Sequence, residues 1–296
     1  MMEQKGTKTQ LLGIELNFVS LVFSAIAKVL NKFALGGLSP VFGALMTSIF
    51  AAGFTLILIG IQDHELSVIR HPAVLWLGLT NGIGVILQYL ALSLISPVTV
   101  TLIAQVYLIY VFILAYFCLH EKLGHLDYLA IACCLTGAFL VGNYQLKLDL
   151  SSALGVLAAF VYPLMFAANN LLAKYLVDQK KQRPNGVLLY NHGVSAALML
   201  LAAFIIPKSF AGITLQALTF NFGGAFFNGF LALLLFFISL KYITAGRANI
   251  VRASGPLFVI ALSYVFFPVP LTPQLLIGAL LLIVATSIVT TTQAVK

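Results

Sequence analysis

Charged residues are scarce in this chain of 296 residues. They make up 8% of it, against roughly 25% in soluble domains, whereas 61% of the residues are hydrophobic and the mean hydropathy is +1.06. This composition excludes a water-soluble protein. Apolar runs of about 20 residues, the length that an α-helix needs to cross a bilayer, recur along the chain and favour helices over a β-barrel. The sequence therefore predicts an all-α integral membrane protein in contact with the lipid bilayer.

Residues that build catalytic, metal or nucleotide sites are also few. The three cysteines, Cys118, Cys133 and Cys134, lie in apolar runs without the spacing of a disulfide framework or a zinc site. No GxxxxGK[ST] loop and no HExxH motif occurs, so neither a built-in ATPase nor a zinc hydrolase is expected. The net charge of +8 comes mostly from short loops, where it sets membrane orientation. We therefore expect no enzyme activity, no cofactor, no metal and no nucleic-acid partner.

Ten membrane-spanning helices are predicted from the apolar runs and from the Gly and Pro residues between them. Their approximate ranges are 10–33, 38–60, 73–95, 98–119, 125–143, 153–176, 187–206, 216–243, 245–267 and 273–293. Lysines and arginines collect at alternate helix ends, among them Lys5, Lys8, Arg70, Lys122, Lys180, Lys181 and Arg183. By the positive-inside rule both termini are cytoplasmic. A bacterial inner membrane is the expected location, with an organellar membrane as the alternative.

The two halves of the chain resemble each other. Residues match at offsets of 142 to 148: Gly13 with Gly155, Lys32 with Lys174, Asn81 with Asn228, Leu92 with Leu240, and Ile95 with Ile243. Each predicted half, 1–147 and 148–296, holds five helices, an odd number, so the halves insert with opposite orientation. Such an inverted repeat is typical of transporters, whose substrate site lies where the repeats meet.

These features resemble the drug/metabolite transporter superfamily, in particular its EamA-type members. The fourth predicted helix ends in LAYFCLHEKLG (Leu114 to Gly124), which is similar to the family's leucine–x–glutamate–x–leucine ending, and Gly255-Pro256 fits the same frame in the second half. The sequence departs from the family pattern at Val269, where a second glutamate is usual. The resemblance implies a transporter of small solutes that works by alternating access through a central cavity.

Arg252 is the strongest candidate for a substrate ligand. It lies about 10 Å inside the ninth predicted helix, a depth at which an arginine usually faces a cavity or a partner. Pro256 lacks the N–H that would bond the Arg252 carbonyl, so a kink is expected there. A guanidinium binds a carboxylate or phosphate in a bidentate manner. Glu15, at a similar depth on the first helix, is expected either to pair with Arg252 or to bind a substrate amine or a coupling proton.

Polar residues at comparable depths complete the candidate substrate site. Asn81, Asn169 and Asn170 offer amide donors and acceptors, although hydrogen bonding between helices is the alternative explanation for each. Gln88, Gln105, Tyr107 and Asn228 are further candidates along the path. Lys28 is interpreted as a snorkelling residue and His192 as an interfacial one.

The sequence thus favours a secondary transporter of a small polar metabolite, with an amino acid or a similar zwitterionic or anionic solute as the leading hypothesis. The alternatives are a non-transporting membrane partner or channel subunit and, less favoured, a membrane-embedded enzyme. The enzyme is less favoured because Glu15 is the one secure carboxylate in the predicted spans. A monomer and a homodimer are both compatible with the sequence.

Overall fold

The computed structural model describes residues 2–62, 69–119, 124–142, 150–252, 254–266 and part of the stretch from 272 to 288. All regular secondary structure in these residues is helical, as predicted. The α-helices are α1 (Met2–Ala34), α2 (Pro40–Gln62), α3 (Ala73–Leu94), α4 (Pro97–Ile103), α5 (Tyr107–Leu119), α6 (His125–Gly142), α7 (Leu150–Lys174), α8 (Pro184–Ile205), α9 (Leu215–Gly224), α10 (Leu233–Ser239), α11 (Ala245–Arg252) and α12 (Gly255–Phe266).

Within the described residues, six helical stretches are long and apolar enough to cross a membrane. They are Gln10–Ala34, Pro40–Gln62, Ala73–Leu94, Ser151–Gln179, Pro184–Ile205 and Leu215–Ser239. All six coincide with predicted spans. The predicted fourth, fifth and ninth spans correspond to the shorter helices α4–α5, α6 and α11–α12, and much of the tenth lies outside the described residues. The count of ten spans and the cytoplasmic termini therefore stay predictions.

Several helices depart from regular α geometry inside the predicted spans. A 3₁₀ turn, Ala104–Val106, joins α4 to α5, and a π-helical segment, Ala225–Ala232, joins α9 to α10. In the predicted ninth span, α11 ends at Arg252 and α12 begins at Gly255. Pro163 lies inside α7. Irregular backbone at membrane depth is tolerated where protein or a water-filled cavity covers it. The interruptions therefore indicate where an aqueous cavity lies.

One end of the molecule is held by Lys32, near the end of α1. Its Nζ donates to the carbonyl oxygen of Leu92 at 2.6 Å and of Ile95 at 3.5 Å, at the end of α3. These carbonyls have no partner within the helix, and a cation at a helix C-terminus is favourable. Gly155, near the start of α7, packs against the same turn, since a Cβ there would lie 3.1 Å from Ile95 Cγ2.

The other end repeats this arrangement with the matching residues of the second half. Lys174 Nζ, at the end of α7, donates to the carbonyl oxygens of Leu240 at 2.7 Å and Ile243 at 3.1 Å. A Cβ on Gly13, near the start of α1, would lie 3.0 Å from Ile243 Cγ2. Gly13 and Lys32 are 19 residues apart on α1, about 28 Å at the helical rise. The two arrangements thus lie at opposite ends, and α1 and α7 run antiparallel, as an inverted repeat requires.

Candidate functional site

A cavity whose wall combines polar and apolar side chains lies between the helices. Its volume is about 170 Å³, more than ten times the roughly 10–15 Å³ that one water needs. The irregular helical segments contribute to its wall: Ala104 from the 3₁₀ turn, Pro163 from α7, Asn228 from the π-helical segment and Arg252 from the end of α11. Polar side chains inside a membrane protein usually line a substrate or ion path, so this cavity is the candidate site.

Seven of the nine candidate residues line this cavity. They are Asn81, Gln88, Tyr107, Asn169, Asn170, Asn228 and Arg252. Glu15 does not line it, and the side chain of Gln105 lies outside the described part of the structure. Residues of both halves of the chain therefore line the same cavity.

The expected pairing of Glu15 with Arg252 is absent from the described structure. Glu15 is exposed on α1, while Asn17, about 200° further round the helix, points inward and donates to the carbonyl oxygen of Ala248. Glu15 lies on another face of α1 and nine residues, or about 13 Å along the helix axis, before Ser24, which Arg252 contacts. Glu15 is thus separated from the cavity.

Arg252 is held by neutral groups. Its Nη2 donates to Ser24 Oγ at 3.2 Å, and its Cζ lies 4.4 Å from the centroid of the Phe236 ring. Ser24 Oγ in turn donates to Asn228 Oδ1 at 2.8 Å. The ion pairs in the described residues involve Asp178 with Lys174 and Lys181, not Arg252. The guanidinium has five N–H donors, so it retains capacity to bind an anion.

Lys28 brings a second positive charge to the cavity. It follows Ser24 by one turn on α1, lines the cavity, and donates from Nζ to Thr101 Oγ1 at 3.2 Å. The interpretation of Lys28 as a snorkelling residue is therefore wrong. Its position in the sequence could have indicated this. Lys28 lies on the same face of α1 as Ser24, and the cavity residues Leu21, Ser24, Ala25 and Lys28 follow one another at intervals of three and four residues.

The asparagines divide into two kinds. Asn169 Nδ2 donates to the carbonyl oxygen of Leu77 and to Asn191 Oδ1, both at 2.7 Å. Its amide group therefore connects α7 to α3 and α8. Asn81 Nδ2 likewise donates to Ser195 Oγ at 2.9 Å. Asn170 instead donates to the hydroxyl oxygen of Tyr107, another residue of the cavity wall. Asn170 and Tyr107 are therefore the better placed to contact a solute.

His192 is the titratable residue that the sequence interpretation misplaced. It was interpreted as interfacial, but it is 2% exposed and lines the cavity. The reason is that α8 begins at Pro184, so His192 lies eight residues, or about 12 Å, inside the helix. Its Nε2 is 2.7 Å from the carbonyl oxygen of Gly229 in the π-helical segment. In the described residues no three His, Cys, Asp or Glu side chains group as a metal site would require.

Comparison with known proteins agrees with this architecture. The model of the EamA-like transporter family matches residues 11–143 and 153–291, one stretch in each half of the chain. A solved crystal structure shares the fold, with a TM-score of 0.75 and 18% sequence identity over 97% of this chain and 97% of that one. No curated protein matches the sequence. The chain therefore belongs to the EamA-like transporter family and is an integral membrane transporter of small solutes.

Proposed function

We propose that this protein is a secondary transporter of a small organic anion. The observation that carries the proposal is the charge of the cavity. Arg252 and Lys28 both line it, and no described carboxylate lies in its wall. Positive charges away from bulk water are costly unless they are paired. An anionic solute would supply the missing negative charge.

The spacing of the two cations suits a compact acid group. Arg252 contacts Ser24, and Lys28 lies one turn, about 6 Å along the helix axis, from Ser24 on the same face of α1, so both cations line the same cavity. Asn170, Tyr107 and their neighbours add neutral donors and acceptors. A carboxylate or phosphate on a small polar skeleton would therefore find both charge and hydrogen bonds.

An amino acid is the second candidate substrate. It is favoured by the amide groups of Asn81, Asn170 and Asn228 in the same wall, because amide oxygens can accept from an ammonium group. With Glu15 outside the cavity, that ammonium would have no described carboxylate to pair with. An anion without an amine therefore fits the cavity better.

Alternating access is the proposed mechanism, with the halves 1–147 and 148–296 rocking about the cavity. The matched ends support this proposal. Lys32 and Gly155 hold one end, while Lys174 and Gly13 hold the other. If one end of the cavity opens while the other stays closed, each half takes up the conformation of the other half in turn during the transport cycle. We further propose a bacterial inner membrane as its location.

Thermal stability of the purified protein tests the substrate class. Wild type, Arg252→Gln, Lys28→Gln and a matched control, Lys241→Gln at an exposed position, are heated with succinate or glycerol 3-phosphate, and with glutamate as the amino-acid candidate. Glycerol and choline serve as neutral and cationic comparisons. A ligand that binds the folded state raises the melting temperature. We expect an anion to stabilise wild type and Lys241→Gln, to act less on Lys28→Gln, and to have no effect on Arg252→Gln.

Two results would contradict the proposal. In the first, choline stabilises wild type and no anion does. In the second, Arg252→Gln responds to anions as wild type does. Uptake of the radiolabelled anion into liposomes then separates a transporter from a non-transporting membrane partner, which would bind the anion but not carry it.

A further inference from the structure

His192 has one ring nitrogen that is unaccounted for. Its Nε2 faces the carbonyl oxygen of Gly229 at 2.7 Å. A carbonyl oxygen only accepts, so Nε2 carries the hydrogen, and Nδ1 of the neutral ring is then an acceptor. Nδ1 is buried and has no hydrogen-bond partner in the described residues. Because buried polar atoms are nearly always bonded, this nitrogen requires an explanation.

A proton is the ligand small enough to bind a nitrogen this deeply buried, and His192 is part of the cavity wall. Histidine is the side chain whose ordinary charge change falls between about pH 5 and pH 8. Glu15, which the sequence offered as a proton carrier, is exposed outside the cavity. Within the described wall of the cavity, His192 is the residue whose neutral ring offers a nitrogen lone pair to a proton.

The charged and titratable groups around His192 come from both sides of the cavity. On the elements packed against α8, Tyr89 of α3 is hydrogen-bonded to Thr47 and Asn221, and Asp178 is paired with Lys174 and Lys181. On α8 itself, the hydroxyl of Tyr190 accepts from the Ile69 amide. Across the cavity lie Lys28, Tyr107, Tyr162 and Arg252. The fixed charges that share the cavity with His192 are thus both positive.

We propose that Nδ1 of His192 binds a proton that is co-transported with the anion. The proton comes from water on one side, binds the free lone pair of Nδ1, and returns to water on the other side, while the Nε2–H stays on the Gly229 carbonyl. This inference rests on the proposed anion transport and adds the coupling ion to it.

The direction of coupling follows from the charges. A protonated His192 would be a third positive charge beside Lys28 and Arg252, which repel it. An anion in the cavity offsets that repulsion, so anion and proton favour each other's binding. By reciprocity each strengthens the other's affinity by the same factor. The two ions therefore cross together, and the protein is a symporter rather than a proton/anion exchanger.

The test compares full-length wild type, His192→Gln and a matched control, His125→Gln, in liposomes. Glutamine keeps an N–H for the Gly229 carbonyl but has no titrating nitrogen, and position 125 is exposed at the start of α6. The vesicles enclose a pH-sensitive dye, and the membrane potential is clamped with potassium and valinomycin. The probe anions are glutamate, succinate and glycerol 3-phosphate. Exchange of each radiolabelled anion is measured separately, with equal anion concentrations inside and outside the vesicles. This exchange reports transport of the anion without requiring a proton gradient.

We expect entry of the transported anion to acidify the lumen of wild-type and His125→Gln vesicles. His192→Gln lacks the bound proton that strengthens anion binding, so its exchange should slow, and its acidification per anion exchanged should fall about tenfold or more below the wild-type ratio. Acidification at the wild-type ratio in His192→Gln, or entry without acidification in wild type, overturns the role of His192 and leaves transport standing. If wild type exchanges none of the three anions, the proposed function fails, and the coupling proposal fails with it.

A second measurement decides the matter if His192→Gln does not fold. Wild-type protein labelled with ¹⁵N-histidine reports the protonation of each ring by NMR, and substitution of the other four of its five histidines identifies the His192 signals. Each probe anion is added at constant pH. The anion that binds must increase the protonated fraction of His192, and an unchanged fraction overturns the proposal.

Discussion

The guanidinium carbon of Arg252 lies 4.4 Å from the centroid of the Phe236 ring. Phe236 is fully buried on α10, so the ring presents a fixed face to the cation. A cation–π contact contributes about 0.5–2 kcal/mol and leaves the charge uncompensated. Arg252 is therefore positioned without being neutralised, which a carboxylate partner would not allow.

Replacing Phe236 with leucine should weaken anion binding. Without the cation–π contact that orients Arg252, the free energy of anion binding should weaken by about 1 kcal/mol. This corresponds to about fivefold lower affinity, measured as the dissociation constant of the stabilising anion. Phe237→Leu is the control, since Phe237 is also fully buried. Both substitutions should lower the free energy of unfolding by about 1 kcal/mol. Equal loss of affinity in the two variants would show that Phe236 acts only through packing.

Lys174→Met should destabilise the protein, because Lys174 donates to the carbonyl oxygens of Leu240 and Ile243 and pairs with Asp178 at 3.0 Å. Hydrogen bonds to a charged group contribute about 1.5–3 kcal/mol each, and the carbonyls would be left unpaired. We expect a loss of about 2 kcal/mol or more in thermal unfolding followed by size-exclusion chromatography. Lys181→Met is the control, since that exposed lysine contacts only the same aspartate, at 3.4 Å, and surface pairs contribute about 0–1 kcal/mol. Similar losses would contradict the helix-capping role of Lys174.

The positions of the helices were largely predictable from the sequence. Runs of apolar residues set the spans, and the break between Arg252 and Gly255 followed from Pro256, which cannot donate a backbone hydrogen bond. Depth along a helix was estimated from residue count at a fixed rise. Of the residues chosen for depth, Arg252, Asn81, Asn169 and Asn170 line the cavity, and Glu15 does not.

The face of each helix was not predictable. In a membrane the lipid-facing and core-facing surfaces are both apolar, so hydrophobic periodicity does not separate them. Glu15 and Asn17 are two residues apart, and only packing shows that Asn17 points inward. The π-helical segment Ala225–Ala232 was also missed, since it contains no proline. His192, which is bonded to Gly229 in that segment, was misplaced for another reason, since α8 begins at Pro184 and not at the predicted position 187.

Asn169→Ala should lower stability more than Asn170→Ala. The Asn169 amide donates to the carbonyl oxygen of Leu77 and to Asn191 Oδ1, and leaving such buried acceptors unpaired costs about 1–3 kcal/mol. Asn170 is bonded to Tyr107 beside the cavity, so its loss should instead weaken anion binding. The checks are the melting temperature of each variant and its anion dissociation constant. The assignment fails if Asn170→Ala leaves anion binding unchanged while Asn169→Ala abolishes it at full stability.

The matched glycines allow the two ends of the transporter to be perturbed separately. A Cβ on Gly13 would lie 2.9 Å from Tyr242 Cβ, and one on Gly155 would lie 2.9 Å from Leu94 Cβ. Each distance is shorter than real Cβ contacts allow, so alanine must push its end of the molecule apart. If the halves rock, Gly13→Ala and Gly155→Ala should shift the protein toward opposite open states.

Cysteine accessibility measures that shift. Ala25, which is 2% exposed and lines the cavity, is replaced by cysteine in a background without native cysteines and labelled with an impermeant maleimide from either side. We expect Gly13→Ala to raise labelling from one side and Gly155→Ala from the other, with Gly53→Ala as control because a Cβ there meets no atom within 4 Å. Labelling that rises from the same side in both variants would mean that the ends do not alternate. The two matched arrangements of lysine and glycine would then be structural clamps and not the two gates of a transporter.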